Sequence, residues 1–172
     1  MEPAKKRLLT IRLLSFLCRR RELAPAVEFS TIEEWTFPGG RFDLALSRLV
    51  IHYIEDLDSL FRCVYQALRP GGRILFSVEH PVITSTLQTA GTRTSWLVDH
   101  YFVNGPRQQQ WMGGTVCKYH RTIEDYFLAL QKAGFAVEQL RESRPLRESF
   151  LHQETYERRL RIPLFLLLCA KK

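Results

Sequence analysis

Hydrophobic positions recur along this chain with two different periods, and the switches between them predict its elements. Residues 42–47 (FDLALS) form an apolar run broken only by Asp43, short enough for a buried strand. Asp56 then stands before Leu57, Leu60, Phe61, Val64 and Leu68, a spacing that lines one face of a helix capped by Asp56. Arg69-Pro70-Gly71-Gly72 ends that helix, since proline disfavours helical geometry in the residue before it and glycine accepts turn dihedrals. Residues 73–78 are a second apolar strand. A strand, a helix and a strand in so few residues predict a crossover unit, hence an α/β fold with a partly parallel sheet covered by helices.

The pattern continues on both sides of this unit. Residues 27–30 read as a further strand. From Pro81 the chain becomes irregular, and residues 95–120 interleave aromatic and polar groups, which predicts a hairpin or cap over one edge of the sheet within an insertion at 81–120. Thr122 opens a helix with Asp125 as capping-box partner, Ile123, Phe127, Leu130 and Ala133 as its apolar face, and Gly134 as its stop. Residues 135–140 form a strand, 148–159 a polar helical link, and 163–170 the last strand. If residues 27–30 do not pair beside 42–47, that strand is an exposed apolar edge that calls for a second copy or a partner chain.

Composition adds bounds. The chain has 172 residues, 45% hydrophobic and 25% charged, as expected for one globular core. No apolar run reaches the roughly 18 residues that a membrane-spanning helix needs. Cys18, Cys63, Cys117 and Cys169 are widely separated, which speaks against a disulfide framework or zinc site and for a reduced, cytoplasmic protein with no metal. The net charge of +7 comes mostly from Lys5, Lys6, Arg7, Arg12, Arg19, Arg20 and Arg21. A basic leader on a nearly neutral body is not the footprint of a nucleic-acid-binding domain. Residues 1–24 therefore divide from 25–172 as a basic leader helix: a surface helix, a targeting presequence, or non-native sequence from a shifted start.

The segments FDLALS and Leu68-Arg69-Pro70-Gly71-Gly72, with VEFSTIEEWTFPGGRFDLALS upstream, resemble the later half of a class I S-adenosylmethionine-dependent methyltransferase of the type 11-like kind. Downstream, FSVEHPVITS and GGTVCKYHRTIEDYFLALQKAGFAVEQL resemble a subgroup of small bacterial methyltransferases of unassigned substrate, so the resemblance covers roughly 27–172. It implies a Rossmann-like methyltransferase sheet closed by an antiparallel last strand at 163–170, with S-adenosylmethionine as cofactor; it does not specify the methyl acceptor, which is read here as a small molecule. The family's opening strand ends in a glycine-rich loop against the cofactor, and its next strand ends in an acid that holds the ribose. The first glycine here is Gly39, and no Gly-x-Gly occurs. The chain reads as one lacking that first half, expected to bind the cofactor weakly or not at all.

Ligands of open α/β sheets sit beyond the carboxyl ends of the strands, which selects three segments. By the resemblance, Thr31, Ile32 and Glu33 form the adenine wall, against readings of Ile32 as core and Glu33 as a solvated charge. Ser47, Arg48 and Leu49 wall the methyl donor, with Arg48 otherwise a solvated charge, and the segment runs on to His52 and Tyr53. His52 has the intrinsic pKa of a general base, against the reading of a structural histidine in a turn. Glu79 and His80 lie on the acceptor side, against a Glu–His hydrogen bond that orders the Pro81 turn. His52, Glu79 and His80 are thus the catalytic candidates. Tyr53, Tyr101, Trp111, Tyr119 and His120 line an acceptor pocket if the insertion folds over this face, and are cap core otherwise. No Ser–His–acid or Cys–His spacing supports a covalent mechanism. Two functions remain open: methyl transfer to a small molecule, and a non-catalytic remnant or partner-dependent subunit.

Overall fold

The computed structural model describes residues 8–11, 36–88, 95–111 and 114–172. Strands β1 (Leu8–Ile11), β2 (Phe42–Arg48) and β3 (Leu68–Glu79) run parallel, and β7 (Phe165–Lys171) lies antiparallel between β3 and β6 (Ala136–Glu142). The order β1-β2-β3-β7-β6 makes one five-stranded sheet, and β4 (Gly105–Trp111) with β5 (Gly114–His120) makes a separate hairpin. Adjacent parallel strands 42–47 and 73–78 are as the periodicity predicts, and the antiparallel last strand is as the resemblance implies.

Two expectations about the leader are corrected. Leu8–Ile11 is a strand, not part of a helix, and its register with Leu44–Ser47 covers the flank of β2 that was expected to be an open edge. Strand pairing satisfies backbone groups that an apolar edge would otherwise leave exposed, and the β-branched Thr10 and Ile11 suit it. The expected strand 27–30 and most of the leader lie outside the described residues.

Helix α1 (Leu57–Ala67) forms as its spacing dictates. Asp56 accepts the Ser59 N–H at 2.8 Å, and Leu57, Leu60, Phe61 and Val64 are buried against Ala45, Ile74, Phe76 and Val78 of the sheet. Its end departs from a simple turn. Leu68 is already extended, at φ −78° and ψ 145°, and pairs with Phe42, so the Pro-Gly-Gly segment becomes an irregularity within β3. Gly72 is required there, because a Cβ would lie 2.9 Å from the Arg69 carbonyl oxygen and 3.3 Å from that of Asp43.

Helix α3 (Ile123–Lys132) packs on the same face, beside α1. Its apolar face differs from the expected one: Tyr126, Ala129 and Leu130 turn inward, while Phe127 is 37% exposed. The capping box fixes where the helix starts, and that phase puts Tyr126, not Phe127, over Phe76, with ring centroids 6.2 Å apart. Thr122 Oγ1 accepts the Asp125 N–H at 3.1 Å and Asp125 Oδ2 accepts the Thr122 N–H at 2.7 Å. Thr122→Ala is expected to cost about 1 kcal/mol and lower Tm by roughly 2–4 °C in thermal denaturation, with Thr122→Ser near wild type. A four-residue helix α2 (Pro81–Thr84) follows β3, and α4 (Gln153–Leu160) with the turn Arg147–Ser149 links β6 to β7.

Candidate functional site at the carboxyl edge of the sheet

Parallel β2 and β3 end side by side, and the chain leaves both at the same edge. Ser47 is 1% exposed, with its Oγ buried and without a hydrogen-bond partner. Arg48 points to solvent. Leu49 is in the left-handed region at φ 54°, which a non-glycine residue adopts at a cost of about 1 kcal/mol or more. Its N–H donates to Ser77 O at 2.9 Å, so the strained turn is tied to β3. A single helical turn, Ile51–Tyr53, then carries His52 and Tyr53 beneath the end of β3.

His52 is fully enclosed and its Nδ1 accepts the Glu79 N–H at 3.3 Å. The remaining ring proton is therefore on Nε2. Burial, then the neighbouring Lys118 ammonium, pushes its pKa down to about 3, so the ring stays neutral. A base needs a free lone pair, and this one is already given to the backbone. In this structure His52 ties the single turn Ile51–Tyr53 to the end of β3.

Glu79 does not pair with His80. Its Oε1 accepts from Lys118 Nζ at 2.7 Å, and its Oε2 is buried without a partner. Lys118, on β5, is 2% exposed; its Nζ also donates to Gln109 Oε1 at 2.6 Å and stands 5.8 Å from the Tyr53 ring centroid. Burial and the Glu79 carboxylate both raise the Tyr53 pKa.

His80 and His120 are each held by hydrogen bonds at both ring nitrogens. His80 Nδ1 accepts the Val82 N–H at 3.2 Å, capping α2, and its Nε2 donates to Glu142 Oε1 at 3.0 Å. Its pKa is lowered by burial, against the pull of Glu142. Both ring nitrogens of His80 are thus engaged in this structure. His120 Nε2 donates to Tyr101 O at 2.9 Å, which leaves Nδ1 to accept the Thr84 hydroxyl at 2.7 Å. Burial lowers its pKa too. His120 thus joins α2, β5 and the loop at Tyr101, whose ring packs edge-on against Phe102 at 5.2 Å.

Tyr119 lies on the opposite side of β5, where its hydroxyl donates to Glu55 Oε2 at 3.1 Å and Arg121 sits 5.6 Å above its ring. It lines an open groove of about 530 Å³ with Glu55, Leu57, Arg121, Leu128 and Lys132. The residues expected to line one pocket are spread: Tyr53 stands at the buried cluster, Tyr119 and His120 line the groove, and Tyr101 packs against His120 from the loop. Thr31, Ile32, Glu33 and the Trp111 side chain lie outside the described residues.

Lys118, Gln109 and Arg121 are the residues that sequence reasoning passed over. A lysine in GTVCKYH reads as a solvated charge, but strand alternation puts Lys118 on the face of His120, which was already a site candidate. That alternation was the available signal.

Residues 7–140 match the family model described as a methyltransferase domain. An S-adenosylmethionine-dependent methyltransferase from Mesorhizobium loti superposes with a TM-score of 0.76 and 37% identity over 84% of this chain and 68% of that one. A Listeria monocytogenes protein superposes with a TM-score of 0.78 and 34% identity over the same shares, 84% and 68%. An uncharacterized protein of Haemophilus influenzae is 28% identical over 78% of this chain, which spans 56% of that relative's length.

Proposed function

The chain belongs to the S-adenosylmethionine-dependent methyltransferases, and we propose that it serves methyl transfer to a small-molecule acceptor at the carboxyl edge of β2 and β3. The observation that carries this reading is the end of β2. There a buried Ser47 hydroxyl lacks a partner and Leu49 holds a left-handed turn, both features that cost stability and suit a site for a ligand. These residues fit the donor end of the cofactor: Ser47 Oγ offers a hydrogen bond, and the Leu49 turn exposes backbone beside it. S-adenosylmethionine, when bound, supplies a methyl group already activated on a sulfonium, so the chain's task is alignment and exclusion of water. Leu49, tied to Ser77, fixes the donor-side turn; His52, tied to the Glu79 N–H, fixes the turn beneath it. The hairpin β4–β5, anchored through Lys118, covers the acceptor side.

S-adenosylhomocysteine titrated into the labelled chain is expected to shift the Arg48 and Leu49 amides saturably in NMR. Affinity measured by calorimetry should be weak, above the low micromolar range, because the 172 residues contain no Gly-x-Gly. Two or three missing charge-assisted contacts at roughly 1.5–3 kcal/mol each remove several orders of magnitude. Ser47→Ala should leave Tm unchanged or higher while weakening that response. Unresponsive Arg48 and Leu49 amides would sink the reading, and low-micromolar affinity would sink the expectation of weakness.

A further inference from the structure

Three buried histidines converge on the few residues that follow β3, and each gives them a ring lone pair. His52 Nδ1 accepts the Glu79 N–H, His80 Nδ1 the Val82 N–H, and His120 Nδ1 the Thr84 hydroxyl, at 3.3, 3.2 and 2.7 Å. These acceptors serve the base, the first turn and the end of α2. The other nitrogens of His80 and His120 reach away from the helix, to Glu142 Oε1 on β6 and to Tyr101 O in the cap loop. One imidazole therefore fastens α2 to the sheet and another fastens it to the cap.

A helix of four residues does not hold itself, because a single turn fixes many dihedrals for few hydrogen bonds. Its place depends on outside contacts. Trp96 Nε1 and Arg107 Nε also donate to this stretch, at Val82 O and Ser85 O, and those bonds do not change with pH. The imidazole bonds do. A ring that takes up a second proton turns its acceptor nitrogen into a donor that faces another donor.

The charges around the rings are few. The Glu142 carboxylate on β6 faces His80 and favours its charged form. Arg107 on β4 opposes a charge on His120, and Asp125 on α3 favours one. Lys118 on β5 opposes a charge on His52, beside the Tyr53 ring at 4.4 Å. Burial outweighs each of these and lowers all three pKa values from 6.5. His52 stays neutral down to about pH 3, so the Glu79 end of the segment holds longest. Opening of α2 returns the other two rings to water. Below pH 6.5 the open form then takes up protons that the closed form refuses, and its population grows by up to about tenfold per pH unit for each ring.

We propose that α2 is a proton-released latch: neutral His80 and His120 hold it between β6 and the cap, and proton uptake by both frees it while the sheet stays folded. This is a conformational device that goes beyond the methyl-transfer reading and does not rest on it. Because α2 directly follows Glu79, the covering of the carboxyl edge of β3 becomes dependent on pH.

Hydrogen exchange of the full chain between pH 7 and pH 5, followed by NMR and corrected for intrinsic rates, gives an opening constant for each amide. The Val82 and Ser85 amides are expected to open more often than those of Ile74 and Phe76 in β3. Below pH 6.5 their opening constant should rise by more than tenfold and up to about a hundredfold per pH unit, the mark of two protons. His80→Asn and His120→Asn each offer an acceptor near the place of Nδ1 and take up no proton, so each should bring that slope toward tenfold, whatever its effect on the level. His100→Asn, at an exposed histidine of the cap loop, is the control and should leave the slope as it is. Equal opening constants for the α2 and β3 amides mean global unfolding only, and a slope that both Asn variants leave unchanged means that these rings are not the latch; either result overturns the proposal. The ring nitrogen signals of the wild type decide the matter without variants: neutral His80 and His120 at pH 6 are expected, and rings already mostly protonated there overturn it.

Discussion

Acidification from pH 7 to pH 4 is expected to remove roughly 3 kcal/mol of folding stability through His52 alone. Its folded pKa, about 3, lies below the ordinary histidine value of 6.5. The unfolded chain therefore takes up a proton in this range that the folded chain refuses, and stability falls as pH drops below 6.5 until it levels near 3. Its cause is physical enclosure: an imidazole fully out of water, with the Lys118 ammonium opposing a second positive charge and Nδ1 occupied by the Glu79 N–H. His80 and His120, both with pKa lowered by burial, add to the slope in the same direction. For a chain of this size the His52 share corresponds to a fall in Tm of about 6–12 °C. His52→Asn keeps an acceptor for the Glu79 N–H and has no proton to gain, so its Tm should fall less steeply with pH. Parallel profiles for the two proteins between pH 7 and pH 4 would show that His52 is not neutral and buried as described.

Lys118→Met is expected to be the most damaging single change at the site, at roughly 3 kcal/mol. It removes the Lys118 ammonium that pairs with Glu79 and also donates to Gln109. The carboxylate stays largely enclosed, since the Glu79 side chain is only 22% exposed. The double variant Lys118→Met/Glu79→Leu should regain most of that loss. Taking both ions away removes both desolvation costs, and apolar groups of similar size fill the same space. Urea unfolding of the wild type, the single variant and the double variant gives the comparison. A double variant as unstable as Lys118→Met would show that packing of the lysine stem, not charge, holds the hairpin to the sheet.

Most of the fold was legible because its signals are local. Asp56, the helical spacing from Leu57 to Val64, and the capping box at Thr122 act within a few residues, so the sequence alone specifies them. The Pro-Gly-Gly segment was recognised as the helix stop but not as part of β3, because pairing of Leu68 with Phe42 depends on a strand 26 positions away in the chain. The inward side of α3 was misjudged by one residue, since the choice between Tyr126 and Phe127 depends on where Phe76 stands across the interface.

The site divides along the same line. The sequence by itself determined the α/β architecture, the family, and the segments 47–53 and 79–80 as the carboxyl edge, because strand ends follow from periodicity. Only the tertiary structure decided what the side chains there do. It tied ring nitrogens of His52, His80 and His120 to partners 27, 62 and 36 residues away. It also turned Lys118, ordinary by sequence, into the buried partner of Glu79 across 39 residues. Hydrogen bonds and ion pairs of this kind leave no periodic trace in a sequence; their strength depends on burial and distance, which exist only once the sheet and the hairpin have met.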